Sequence, residues 1–134
     1  MHNNLSVYLT RNVLTLAFLF SAFAMWGQDI TMANGNFETC SAALLDTGAG
    51  GADYSNDEYF VFTICPDVPG DVINVDFSIF NLDQSGAQNT WDNLAIFDGD
   101  NLGANSLGSY TGNQLQGVVV QATPQNPTGC LTFE

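Results

Sequence analysis

From Ala43 onward the apolar residues come only in runs of strand length, each broken by Gly, Asn, Asp or Pro. Ala43–Leu45 is a weak strand followed by the loop D-T-G-A-G-G-A-D, Asp46 to Asp53. Tyr59–Cys65 (Y-F-V-F-T-I-C) is a strong strand of aromatic and β-branched residues, and Pro66–Gly70 stops it. Val72–Phe80 alternates: Ile73, Val75, Phe77 and Ile79 point one way, Asn74, Asp76 and Ser78 the other. That period of two predicts a strand with one dry and one wet face. Leu94–Phe97, Leu107–Tyr110 and Val118–Ala122 are further strands, and Leu131–Glu134 begins a last one. No segment beyond the N-terminus carries a helical period, so the fold expected is an all-β sandwich or barrel.

The N-terminus is different. Met1–Arg11 is polar with one cation, and Asn12–Trp26 is an apolar run too short to span a bilayer. This is the pattern of a secretory signal peptide, with Ala22-Phe23-Ala24 or Gly27 marking the cut; an N-terminal membrane anchor is the alternative. The organisation expected is a signal at 1–27, a linker or first strand at 28–39, and one domain at 40–134. The protein is then secreted or held at the cell surface.

Removing the signal sharpens the charge. Arg11 is the only Lys or Arg and His2 the only His, while all 14 carboxylates lie beyond residue 27, so −13 becomes −14 without Arg11. Nucleic acid and anionic membrane surfaces are poor partners for such a chain, because phosphate binding rests on Lys and Arg. Internal salt bridges are impossible between these side chains.

The same absence removes most catalysis. Ser–His–Asp and Cys–His chemistry needs a His base, and phosphoryl transfer wants a cation. Gly48-Ala49-Gly50-Gly51 matches no phosphate-binding fingerprint and reads as a turn. A carboxylate-pair hydrolase is arithmetically open, but no pair stands out. The chain is not expected to be an enzyme. Three cysteines remain, an odd number, and Cys130 has no neighbouring cation to make it reactive.

Calcium asks only for oxygen ligands. Asp83, Gln84, Asp92, Asp98 and Asp100 lie on loops flanking predicted strands. The EF-hand spacing fails, because Leu102 and Ser109 fall at its fifth and twelfth positions. Spacing alone leaves two readings, a cation site or solvated turn acids.

The motifs taken together resemble the CUB domain. Cys40–Gly48, Tyr54–Cys65 and Asp71–Asp83 resemble its opening. T-W-D-N-L-A-I-F-D-G (Thr90–Gly99) is similar to its central aromatic–Asp–x–Leu–x–Ile–aromatic–Asp–Gly signature. Leu107–Gly112 resembles the turn that follows, and Asn126–Phe133 the penultimate strand of bacterial, Bacteroidota-like versions.

The resemblance implies an antiparallel jelly-roll β-sandwich, extracellular and used for binding within a larger protein. It implies a Cys40–Cys65 disulfide, with the partner of Cys130 outside this sequence. It implies a calcium site in which Tyr54 braces and Asp92 ligates, while Gln84 falls at a Glu position with Asp83 beside it. A further Asp ligand would lie beyond Glu134, so calcium is expected to be weak. Asp98-Gly99 and Asp100 are assigned to the turn.

Cys130–Glu134 stops in mid-strand, and the last strands are expected to be missing, leaving an unpaired edge and poor independent stability. The function expected is recognition of a protein or glycan, with calcium stiffening the loops. An accessory domain of a secreted hydrolase or a spacer in an adhesin are the alternatives.

Overall fold

The computed structural model describes residues 28–49, 51–87 and 91–134. The signal assigned to 1–27 lies outside the described residues, as do Gly50 of the glycine-rich loop and Gln88–Thr90. The described residues form nine strands and no helix. They are β1 (Gln28–Thr31), β2 (Gly35–Glu38), β3 (Ala42–Leu45), β4 (Phe62–Cys65), β5 (Asn74–Phe77), β6 (Leu94–Asp98), β7 (Asn105–Tyr110), β8 (Val118–Gln121) and β9 (Leu131–Phe133).

Five of them make one sheet in the order β2-β4-β9-β6-β7, and two further pairs, β1-β3 and β5-β8, make separate two-stranded sheets. The chain shuttles between the five-stranded sheet and the two small ones, so strands next in space are seldom next in sequence. That shuttling corrects the antiparallel expectation. β1 pairs with β3, and β2 with β4, in parallel, while the other pairings are antiparallel. When consecutive strands alternate between sheets and reverse, every second strand runs the same way, and the first four strands do this.

The core collects side chains from all three sheets. Phe62, Ile64, Ile96, Leu131 and Phe133 of the large sheet pack with Ile30 and Phe77 of the small ones and with Ile73 just before β5. Phe62 and Phe133, opposite each other in the β4–β9 ladder, stack with ring centroids 4.9 Å apart. The architecture is thus all-β and layered, as in a sandwich.

β9 is where the fold departs most from the sequence reading. Its three residues are fully enclosed, because β4 pairs on one side and β6 on the other. Thr132 is 0 % exposed, with its hydroxyl donating to the Gly99 carbonyl at 2.9 Å and sharing a 2.8 Å hydrogen bond with Thr63. β9 therefore sits at the centre of the five-stranded sheet.

The cysteine pairing is also corrected. Cys65 is bonded to Cys130, with Cα atoms 4.2 Å apart, and Cys40 is free and exposed. Register explains it. Phe62, Thr63 and Ile64 face Phe133, Thr132 and Leu131, so the next step places Cys65 opposite Cys130. Glu38 is the register partner of Cys65 across the β2–β4 ladder, and Cys40 has already passed beyond that ladder.

The alternation of Val72–Phe80 holds for Ile73, Val75 and Phe77 and then breaks. Ile79 is 88 % exposed and Phe80 is buried. Gln116 causes the switch: its amide oxygen accepts from the Phe80 N–H at 2.8 Å, and its amide N–H donates to the Ser78 carbonyl. The chain bends there, and Phe80 packs edge-to-face on Phe77.

Candidate functional site

Three loops meet at one place. The β3–β4 loop brings Tyr54, the β5–β6 loop brings Asp83, Gln84, Trp91 and Asp92, and the β7–β8 loop brings Thr111 and Gln114. The sequence-predicted set of Tyr54, Asp83, Gln84 and Asp92 does come together. The Tyr54 hydroxyl donates to Asp92 Oδ2 at 2.6 Å and accepts from the Asp83 N–H at 2.8 Å. Asp92 N–H in turn donates to the Asp83 carbonyl at 3.1 Å. One phenol thus ties two ends of the β5–β6 loop to a third segment. Burial, then the bond to Asp92, raises the Tyr54 hydroxyl above its ordinary pKa, so it stays protonated and keeps donating.

Asp83 is turned to another task. Both Asp83 oxygens accept from Ser85, its N–H at 2.8 Å and its hydroxyl at 2.6 Å. Those bonds hold the Asp83 carboxyl below the usual carboxylate range. Gln84 lies over Gly112, whose φ is +56°, and a Cβ there would sit 2.6 Å from the Gln84 side chain. The positive φ favours glycine there, while the Gln84 amide end is flexible enough to move aside.

A shallow hollow of about 440 Å³ opens beside this junction, walled by Gln84, Trp91, Asp92, Asn93, Thr111 and Gln114. Asn93 accepts from the Ser109 hydroxyl at 3.1 Å and Gln114 from the Thr111 N–H at 2.8 Å, so its walls are polar and ordered. Among the described residues, Trp91 Nε1 and Thr111 Oγ1 are buried side-chain polar atoms without a hydrogen-bond partner. Such orphaned groups are rare and costly, and they mark a place where a polar partner is expected. The sequence reading missed Trp91, Thr111 and Gln114; only the adjacency of Trp91 to Asp92 hinted at the first.

Asp98 does more than serve its turn. It is 8 % exposed and accepts from the Thr123 N–H at 3.0 Å, the Thr123 hydroxyl at 2.5 Å and Asn126 Nδ2 at 2.9 Å. Burial pushes its pKa up, but the bonds from Thr123 and Asn126 win and hold it below the ordinary value. Asn126 also donates to the Cys130 carbonyl and accepts from Thr128, which fixes the segment entering β9. Asp98 is therefore a structural anchor across 25–28 residues. Asp100 is exposed and accepts from Asn101, within the turn.

The oxygen set at the loop junction fits calcium thinly. Asp92 offers a carboxylate and Gln84 an amide carbonyl, but Asp83 is committed to Ser85. Among the described residues no group of three or more His, Cys, Asp or Glu side chains is placed to hold a metal. Calcium ordinarily collects six to eight oxygens, several of them carboxylate. No family model, curated protein or solved structure matches this chain.

Proposed function

We propose that this chain is an extracellular, CUB-like binding module with a jelly-roll topology, acting by non-covalent recognition at the junction of its β3–β4, β5–β6 and β7–β8 loops. The observation that carries this reading is the polar hollow with two unmatched buried atoms, Trp91 Nε1 and Thr111 Oγ1, beside a loop frame locked by Tyr54 and Asp92. Amides, a carboxylate, hydroxyls and an indole suit a neutral, hydroxyl-rich ligand, and the absence of any cation beyond residue 27 disfavours an anionic one. The module is non-catalytic, and it works as the recognition part of a secreted or surface protein.

Asp92 and Gln84 are the donors for calcium, which would supply rigidity to the loops and no chemistry. With one carboxylate in that set, and one of its oxygens already accepting from Tyr54, the expected dissociation constant is about millimolar or weaker. Calorimetric titration with calcium chloride checks this; micromolar binding would overturn the assignment of Asp83 to Ser85.

Trp91 is the only tryptophan after Trp26, so its fluorescence reports on the hollow. Titration with a panel of neutral oligosaccharides should give a saturable change that Gln114→Ala weakens about tenfold, the loss of roughly one good hydrogen bond. A panel without response would sink the glycan-type reading of the hollow.

A further inference from the structure

The two small sheets lie side by side with a groove between them. β3 and β5 form its walls and belong to different sheets, with no ladder joining them. The groove has a volume of about 590 Å³, and its buried lining includes Ile30, Ile64, Ile73 and Phe77, with Ile79 exposed at one end. Apolar side chains at the bottom and strand edges at the sides are the two things an added strand needs.

Among the described residues no strand pairs with the groove-side edge of β3 or of β5. The carbonyls of Ile73, which immediately precedes β5, and of Phe77 accept from Ala122 and Gly117 on the β8 side. Backbone direction alternates along a strand, so Asn74 and Asp76 present their N–H and C=O groups to the groove. On β3, the Leu45 carbonyl accepts from Met32 on the β1 side, so Ala42 and Leu44 present theirs to the groove.

The walls also run in the same direction. Thr39 N–H bonds the Cys65 carbonyl, Cys65 is bonded to Cys130, and Ile73 N–H bonds the Gly129 carbonyl. Hence β3 and β5 both start at the disulfide end. In the large sheet β4 and β6 are likewise parallel to each other, with β9 antiparallel to both between them. The arrangement β1-β3, groove, β5-β8 repeats β2-β4-β9-β6-β7 with its middle strand left out.

We propose that the groove between β3 and β5 captures one extended segment of a partner protein, antiparallel to both strands, with alternate apolar side chains facing the core and cationic ones facing out. Charge selects the partner. Asp67, Asp71 and Asp76 line the groove and are exposed, and residues 28–134 carry no Lys, Arg or His to neutralise them. A second copy of this chain brings only more carboxylates, so the segment is basic and comes from elsewhere.

Cys40 makes the proposal testable, because it is free, exposed and lines the groove at the end where β3 starts. A segment antiparallel to β3 ends its C-terminus there. The probes are peptides of about eight residues, long enough to cover both walls, alternating valine and lysine with one cysteine at either terminus. Under mild oxidation the purified protein should form the mixed disulfide with the C-terminal-cysteine peptide about tenfold faster than with the N-terminal one, through raised effective concentration. Glutamate in place of lysine should remove that advantage, and Asp76→Lys, on an exposed position, should narrow the gap between the two peptides.

Equal rates at both termini, or equal rates for lysine and glutamate peptides, would show that no oriented strand is seated. Cys40–Cys40 dimers outpacing the peptide would assign the groove to a second copy. A longer natural form whose Cys40 reacts with a small thiol reagent but never with the peptides would show that its own chain fills the groove. Each of these overturns partner capture.

Discussion

Asp98 and Gly129 show how much a single residue can hold when its partners are distant. Asp98 loses hydration in the folded state yet keeps its charge, because three donors from Thr123 and Asn126 replace the lost water. Its folded pKa lies below the unfolded one, so its contribution is present above the ordinary carboxylate range and is lost as pH falls through the depressed value. Asp98→Asn puts an amide donor among those donors and is expected to cost about 1–3 kcal/mol at pH 7 and less in acid, measured by denaturant unfolding at both pH values. Gly129 has φ +66°, and a Cβ on it would lie 2.1 Å from the Asp71 carbonyl oxygen. Gly129→Ala should therefore lose at least about 2 kcal/mol, seen as a lower denaturation midpoint with unchanged slope. The Asp-Gly pair at 98–99 reads as a turn signal because turn chemistry is local. Thr123 and Asn126 are invisible at that range.

Among the elements, β9 decides most. Its alternation of Leu131 and Phe133 was legible as a strand, but its place between β4 and β6 was not. Pairing depends on which edges remain open after the other strands have packed, and no window of sequence carries that. The disulfide follows from the same placement, since it closes the end of the β4–β9 ladder across a separation of 65 residues. Reducing it, or making Cys65→Ser with Cys130→Ser, should lower stability by about 4 kcal/mol on the loop-closure estimate. Cys40→Ser should be nearly silent, because that thiol is free and exposed. Thermal melts of the two variants check both statements; a Cys40→Ser variant destabilised as much as the Cys65→Ser/Cys130→Ser double would restore the Cys40–Cys65 pairing. The bend at Ile79 and Phe80 carries the same lesson at smaller scale. The period of two was correct until Gln116, 36 residues past Phe80, took hold of the backbone.

At the scale of the whole molecule the dominant fact is charge without counter-charge. With 14 carboxylates and no cation beyond residue 27, every long-range interaction between side chains is repulsive. Salt can only help. Raising sodium chloride from about 0.01 M to about 0.5 M shortens the screening length severalfold and should raise the melting temperature by about 4–8 °C, the shift that follows from roughly 1 kcal/mol. A melting temperature independent of salt would mean that the carboxylates lie too far apart to repel. The loop junction belongs to this scale too. Tyr54, Asp83, Gln84 and Asp92 could be named from the motifs they resemble, whereas the hollow and its unmatched Trp91 and Thr111 atoms exist only once three loops converge.

Sequence alone determined the all-β class, most strand positions and the excess of negative side-chain charge. Alternation, turn residues and side-chain charge are local properties, and they survive in any arrangement of the strands. Tertiary structure decided that β1–β3 and β2–β4 run parallel, that Cys65 takes Cys130, that Asp98 is buried, and that a groove lies between β3 and β5. Each of those depends on which distant surfaces meet when the apolar faces close on one another, a choice made by the packing of the whole chain and written in no single segment of it.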